Sequence, residues 1–232
     1  MNGPLFLSLL CLPFVTAVIN PECQDLDPGC RDWVSNSRDQ CRVQGYIQSK
    51  CPRSCHICMK IPARYDELRV PANLRPLGWL VGIWRSEHDG KAFFPTIPKF
   101  TYGEQIDFSV PDNQLTARPA FNYTAFAWSM DGSEELHSEN GYLVVENGRF
   151  ALTTVMSNGF VTVEEGVLSG QNLRFRLVDI GRISFSRDLP VHDLVREWRL
   201  INPNTLEARL SMETLTHGMR EHTTIVYKKI FP

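Results

Sequence analysis

The sequence predicts a mainly β protein, in which a small disulfide-rich module precedes an antiparallel barrel of about ten strands. Two observations support this division. Six cysteines fall within residues 23–58 and none follows, whereas short β-rich runs separated by turn residues fill the chain from Leu77 onward. Helical periodicity is nearly absent from this second part. The chain of 232 residues is long enough for one medium domain with its own core and a mini-domain.

Residues 1–17 have the pattern of a secretory signal peptide. An apolar run at residues 5–12 is too short to span a membrane, and Ala17 offers the small residue that a signal peptidase requires. Cleavage there would also remove Cys11 and leave six cysteines, an even number that can pair completely. We therefore expect a secreted, extracellular protein with no membrane span, because disulfides persist in an oxidising compartment.

Charge and composition exclude some partners and suggest the domain boundaries. A formal net charge of -2 argues against nucleic acid or an anionic membrane as a partner, and a hydrophobic fraction of 43% is ordinary for globular proteins. Residues 59–73 combine Pro62 and Pro71 with charged residues, which is typical of a linker. The predicted barrel domain covers residues 74–232.

The cysteine spacing is Cys23-x6-Cys30-x10-Cys41-x9-Cys51-x3-Cys55-x2-Cys58. The last three cysteines could in isolation be zinc ligands, but secretion favours disulfides because thiols are oxidised in that compartment. A stretch this short also needs cross-links, since it cannot bury enough apolar surface to fold by itself. Spacing leaves fifteen connectivities open.

Together with Trp33 and the ending Cys51-Pro52-Arg53-Ser54-Cys55-His56-Ile57-Cys58, the module at residues 23–58 resembles ShKT domains. These domains are named after a sea-anemone potassium-channel toxin and are common in secreted nematode proteins. The resemblance implies that Cys23 pairs with Cys58, Cys30 with Cys51 and Cys41 with Cys55. Channel block in the toxins depends on a Lys-Tyr pair, but Gly45 precedes Tyr46 here. A module that adheres to an extracellular protein partner is therefore favoured.

The barrel domain begins with a short segment at residues 76–81, predicted to be one helical turn that closes the bottom of the barrel, followed by a strand from Gly82. Asn147-Gly148 is a strong hairpin signal. About ten strands can close a barrel with a ligand-sized interior. Further strands are predicted at residues 100–108, 142–145, 150–156, 160–164, 173–178, 195–201, 206–214 and 222–229.

Several motifs, spaced along residues 74–232, together resemble the nitrobindin family. The resemblance implies a ten-stranded barrel, related in shape to fatty-acid-binding proteins, that holds one haem b near its mouth through a single histidine. The motifs are Gly82-Ile83-Trp84, Phe94-Pro95-Thr96-Ile97-Pro98, His137-Ser138-Glu139-Asn140-Gly141, Val163-Glu164-Glu165-Gly166, Arg182-Ile183-Ser184-Phe185 and Glu221-His222-Thr223-Thr224-Ile225-Val226-Tyr227-Lys228-Lys229.

The family's iron ligand is the histidine five residues before the tyrosine of the terminal Tyr-Lys-Lys, which is His222 here. Imidazole is a good iron ligand, and strand alternation can aim His222 inward while Thr223, Ile225 and Tyr227 take the other face. The resemblance makes Met212, Thr96 and His137 haem contacts, although each could be ordinary pocket lining. The remaining histidines of the barrel domain are interpreted as loop residues: His88, His192 and His217.

The resemblance implies that the iron, as ferric haem with one protein ligand, binds nitric oxide or isomerises peroxynitrite to nitrate, with His222 as the catalytic residue. The alternative is a non-enzymatic carrier of a lipid or of haem. A fatty-acid carrier needs an interior arginine, for which Arg174, Arg176 and Arg199 are candidates. The adjacent pair Glu164-Glu165 must point to opposite faces of a strand, which excludes a simple acid/base pair. A glycosylation sequon begins at Asn122.

Overall fold

A computed structural model describes residues 23–36, 40–58, 61–111, 119–186 and 188–232. The predicted signal peptide, residues 1–17, lies outside these ranges. The chain divides into two compact units between Lys60 and Ile61. Within the described ranges, no helix combines the length and the apolar character needed to cross a bilayer.

The described part of the first unit, residues 23–36 and 40–58, has three short helices, α1 (Cys30–Asn36), α2 (Gln40–Val43) and α3 (Gly45–Lys50). Its small core is built from Val34, Ile47 and two of the cysteines. Disulfides join Cys23 to Cys58, Cys30 to Cys51 and Cys41 to Cys55, which is the pairing that the ShKT resemblance implies. The zinc alternative for the last three cysteines is therefore wrong, because each of their sulfurs forms a disulfide with one of the first three cysteines.

The second unit is a closed antiparallel barrel in which each strand pairs with its neighbours in sequence and the first pairs with the last. The predicted fold class is confirmed. The strands are β1 (Gly82–Ala92), β2 (Phe100–Ser109), β3 (Ala120–Ser129), β4 (Glu135–Glu146), β5 (Arg149–Met156), β6 (Phe160–Ser169), β7 (Asn172–Arg182), β8 (Val191–Asn202), β9 (Thr205–Thr214) and β10 (His217–Phe231).

Turn chemistry joins the strands as the sequence predicts. Asn147 and Gly148 have φ angles of 52° and 75° between β4 and β5, and two positive φ values define the tight turn that matches strand twist. The three histidines predicted in loops lie in strands instead. His88 sits in β1 at a register irregularity, His192 is the second residue of β8, and His217 opens β10.

One end of the barrel is closed by the segment that precedes β1. Three 3₁₀ helices, Ala63–Tyr65, Glu67–Arg69 and Arg75–Leu80, lie there, and the predicted helical turn is the third of them. Tyr65 and Val70 are buried in the core of the barrel unit, so the predicted linker is packed against the barrel from Ile61 onward. The indole Nε1 of Trp84 donates a hydrogen bond of 2.7 Å to the carbonyl of Leu80, which fixes this plug to β1.

The core fills the closed half of the barrel. Large buried side chains of this core include Trp84, Phe108, Leu173, Phe175 and Trp198. Phe100 is half-buried and lines a cavity in the other half. The hairpins β1–β2, β3–β4, β5–β6, β7–β8 and β9–β10 surround that open half, because the strands alternate in direction.

Candidate functional site

The open half of the barrel holds a cavity of about 550 Å³. This volume lies within the range of small-molecule sites in proteins. Its walls are mainly apolar, and several polar and charged side chains also line it. Apolar side chains from all ten strands and two mouth loops line it, among them Ala92, Phe94, Ile97, Phe100, Ala127, Leu136, Met156, Phe160, Ile180, Leu189, Val191, Leu194, Leu210, Met212 and Ile225.

His222 lines this cavity and is only 1% exposed. Its Nδ1 lies 3.0 Å from the backbone carbonyl oxygen of Arg220. Since a carbonyl can only accept a hydrogen bond, Nδ1 carries the proton and Nε2 of the neutral ring keeps its lone pair. Burial lowers the pKa of His222, which favours that neutral form. The imidazole packs against the ring of Phe94, with centroids 5.4 Å apart.

A β-bulge directs His222 into the barrel. Glu221 pairs with Ser211 and Thr223 pairs with Leu210, so the adjacent residues of β9 face three residues of β10 and His222 is the extra one. The expectation that Ile225 and Tyr227 face away from His222 is therefore wrong. Both side chains are buried inside the barrel, since the bulge changes the alternation of β10 between its two sides.

The other predicted cofactor contacts line the same cavity. Met212 lies on β9 opposite Arg220, His137 lies on β4 opposite Ala127, and Thr96 is an exposed residue of the β1–β2 loop at the mouth. His217 pairs with Thr214 at the rim, and its Nδ1 is 2.9 Å from the hydroxyl of Thr216. The structure thus brings together the four residues that the sequence proposed as the site.

The arginines proposed for a fatty-acid carboxylate lie outside the cavity. Arg174, Arg176 and Arg199 are each more than half exposed and form ion pairs with surface carboxylates, those of Glu197, Asp193 and Glu207. They occupy strand positions that alternate with buried residues and therefore point to solvent. The interior arginine is Arg196, which the sequence analysis did not select.

Arg196 lies between two buried glutamates. Its guanidinium contacts Glu139 at 2.8 and 3.3 Å and Glu164 at 3.1 and 3.2 Å. The hydroxyl of Tyr123 donates to Glu139, and that of Thr162 donates to Glu164 at 2.9 Å. Burial raises the pKa of Glu139, but Arg196 and His137 outweigh it, so this pKa lies well below its usual range.

Glu104 adds a third carboxylate to the interior. Its Oε2 accepts a hydrogen bond of 2.9 Å from the hydroxyl of Tyr227, and its side chain lines the cavity. Burial raises the pKa of Glu104 to about 7, since the Tyr227 hydrogen bond and the nearby Arg196 compensate only partly for the lost hydration. We call the following set the polar layer: Glu104, Tyr123, Glu139, Glu164, Arg196 and Tyr227.

The sequence analysis missed the polar layer, although strand alternation carries a signal for it. Glu164 shares its side of β6 with buried Phe160, and Arg196 shares its side of β8 with buried Leu194 and Trp198. The argument that Glu164 and Glu165 face opposite ways is confirmed, since Glu164 is fully buried and Glu165 is exposed. A charged residue on the inward side of a strand, such as Glu164 or Arg196, therefore indicated an oppositely charged partner inside the barrel.

A lipid carboxylate suits this interior poorly. Arg196 already contacts two carboxylates, and Glu104 brings further negative charge when it ionises. A ligand carboxylate entering the cavity would meet these like charges in a medium of low dielectric constant. The arrangement suits instead a flat apolar ligand near the mouth that uses the free Nε2 of His222, and a porphyrin with its iron has this chemistry.

Fold and cavity define a closed β-barrel with a ligand site at its open end. The family model described as "THAP4-like, heme-binding beta-barrel domain" matches residues 73–229, and that of the ShK domain-like family matches residues 22–58. The chain therefore belongs to the THAP4-like, heme-binding beta-barrel domain family, with a ShK domain ahead of the barrel. The barrel is accordingly a haem-binding domain.

Individual relatives agree with this assignment. Uncharacterized protein C28H8.5 of Caenorhabditis elegans is 49% identical over 230 residues, which cover 94% of this chain and 76% of the relative. Peroxynitrite isomerase THAP4 of Bos taurus is 31% identical over 179 residues, covering 76% of this chain and 30% of the bovine protein. The crystal structure of Rv2717c from M. tuberculosis has a TM-score of 0.58 at 25% identity, over 69% of this chain and 98% of that one. This chain thus spans less than a third of the bovine protein.

Proposed function

We propose that the chain is a secreted haem b protein that uses an iron held by His222 to bind nitric oxide, to isomerise peroxynitrite to nitrate, or both. One observation carries the proposal. His222 is buried at the wall of a ligand-sized cavity, with Nδ1 bound to a backbone carbonyl and Nε2 left as the metal-binding atom. The name peroxynitrite isomerase, borne by relatives about 30% identical, supports the choice of reaction.

The residues around His222 have distinct roles in this proposal. The hydrogen bond from Nδ1 to Arg220 fixes the ring orientation and increases the basicity of Nε2. Phe94, Phe100 and Met212 would supply apolar contacts for a porphyrin, and Thr96 and His137 would offer polar contacts in the same cavity. When bound, haem would supply an iron with an open coordination position that accepts nitric oxide or acts as a Lewis acid on peroxynitrite.

The proposal includes secretion, which two features of the first unit support. Three disulfides within residues 23–58 suit an oxidising compartment, and residues 1–17 have the pattern of a signal peptide. In this proposal the ShK domain binds an extracellular protein partner. Glycosylation of Asn122 also stays a prediction; this residue is half-buried on the outer face of β3, between buried Phe121 and Tyr123.

The test compares haem binding and reaction in matched variants. The purified full chain is loaded with haem b, and its absorption band is compared with that of His222→Ala and of His217→Ala. His222→Ala should lose most of its haem while its far-ultraviolet circular dichroism stays that of a β-barrel, and His217→Ala should retain haem. Unchanged haem content in His222→Ala would overturn the ligand assignment.

Catalysis is measured separately on the loaded chain. Peroxynitrite decay followed by stopped-flow absorbance should accelerate, with nitrate as the main product, and the acceleration should be lost in His222→Ala. Loaded protein that binds nitric oxide but leaves peroxynitrite decay unchanged would refute the isomerase part of the proposal and leave nitric oxide binding. Detection of the chain in the medium of secreting cells, and its absence there after deletion of residues 1–17, would test secretion.

A further inference from the structure

His137 lines the cavity beside the polar layer. It lies on β4 opposite Ala127 of β3, and its side chain lines the cavity and is 34% exposed. Its Nε2 is 3.8 Å from Oε2 of Glu139, a separation typical of an ion pair and too long for a direct hydrogen bond. The carboxylate of Glu139 is fixed in this position, because Arg196 and Tyr123 both donate hydrogen bonds to it. A fixed carboxylate therefore lies on one side of the imidazole.

We propose that His137 is a second ligand-contacting residue of the haem cavity, which as an imidazolium donates a hydrogen bond to a small oxyanion such as peroxynitrite or nitrite. The inference rests on the proposed function, since it gives the charge class of ligand that the same cavity receives. His222 holds the iron in this arrangement, and His137 binds the anion that comes to it.

The charges of the polar layer explain why an anion needs His137. Arg196 neutralises only one of its two partners, Glu139 and Glu164. Without a second cation the interior would carry net negative charge and would repel an incoming anion. A protonated His137 supplies that cation next to Glu139. Glu104 stays neutral only while it is protonated, so its ionisation would again make the interior negative.

Titration of His137 and titration of Glu104 both change the affinity for an anion in the same direction. The charged groups that act on His137 are Glu104 on β2, Glu139 on β4 and Arg196 on β8, and Tyr123 on β3 donates its hydroxyl hydrogen bond to Glu139. Burial lowers the pKa of His137, but the carboxylates of Glu139 and Glu104 outweigh burial, and the net shift is upward. As pH rises, His137 loses its positive charge and Glu104, with a pKa of about 7, gains a negative one. Anion affinity should therefore fall as pH rises through neutrality.

Nitrite serves as the probe, titrated into the haem-loaded full chain and followed by absorbance between about pH 5.5 and about pH 8.5. His137→Gln should weaken nitrite binding about tenfold at the acid end, the order expected for losing a charge-assisted hydrogen bond. Glu104→Gln should bind nitrite more tightly than the unmodified chain at the alkaline end. His192→Gln, which changes an exposed histidine outside the cavity, is the matched control and should have no effect.

A second readout uses the chain without haem. Nuclear magnetic resonance of the histidine rings should show that His137 titrates above the ordinary value of about 6.5, and that Glu104→Gln lowers its pKa. Titration of His137 at or below the ordinary value, or nitrite affinity unchanged in a folded His137→Gln, would overturn the inference. Loss of haem binding by the unmodified chain would instead contradict the proposed function, so the two failures are distinguishable.

Discussion

Replacing Arg196 with methionine tests whether the guanidinium of Arg196, the one cation of the polar layer, stabilises the buried glutamates beside it. The substitution keeps a long side chain on β8 but leaves Glu139 and Glu164, which are 4% and 0% exposed, without their guanidinium partner. Removing one member of a buried ion pair costs about 3–5 kcal/mol, because the remaining charge stays desolvated. For a protein of this size that corresponds to a fall in melting temperature of about 6–20 °C.

The pH dependence of this loss has a definite sign. Without Arg196 burial should raise the folded-state pKa of Glu139 above its unfolded value of about 4.3. The folded variant would then take up protons as pH falls, so its deficit in stability should shrink between about pH 7 and about pH 5. In the unmodified chain Glu139 contributes no such gain, since its pKa is depressed and its stabilising charge persists across that window. The raised pKa values of Glu104 and His137 stabilise both chains on acidification, so the effect of Arg196 is measured as the difference between the two chains.

Urea unfolding followed by tryptophan fluorescence at both pH values measures these effects. Arg199→Met is the matched control: Arg199 lies on the same strand, is 52% exposed and pairs with Glu207 at the surface. Surface pairs contribute about 0–1 kcal/mol, so this variant should unfold close to the unmodified chain. Equal losses in the two variants, or a loss in Arg196→Met that does not shrink on acidification, would refute the role given to Arg196.

Two further predictions concern the two units and the strand packing. Reduction of the three disulfides should unfold residues 23–58, since each cross-link contributes about 3 kcal/mol to stability. The melting temperature of the barrel should stay unchanged, because the barrel sequence contains no cysteine. Calorimetry with and without reductant measures both effects, and a barrel transition lowered by several degrees would contradict the prediction. Gly141→Ala should destabilise the barrel by about 1–3 kcal/mol, since an added Cβ would lie 1.8 Å from the carbonyl oxygen of Thr153. Gly218→Ala, where a Cβ meets nothing within 4 Å, is the control in the same unfolding assay, and equal stability of both variants would show that the β4–β5 contact can relax.

The sequence by itself determined the division of the molecule. Cysteine spacing with Trp33 predicted the disulfide module, and alternation with turn signals such as Asn147-Gly148 predicted the barrel. These features were readable because they are local: strand periodicity and turn chemistry act over a few residues. The motif before Tyr227 likewise selected His222, and its lining of the cavity agrees with that choice.

Only the tertiary structure decided which way the site residues face and which of them meet. The bulge at His222 depends on how β10 pairs with β9, so counting odd and even positions placed Ile225 and Tyr227 on the wrong side. Arg196 meets Glu164 and Glu139 across 32 and 57 residues of sequence. Such contacts exist only once the barrel has closed, because closure brings the inward side chains of distant strands into one interior, where an unpaired charge would be too costly to bury.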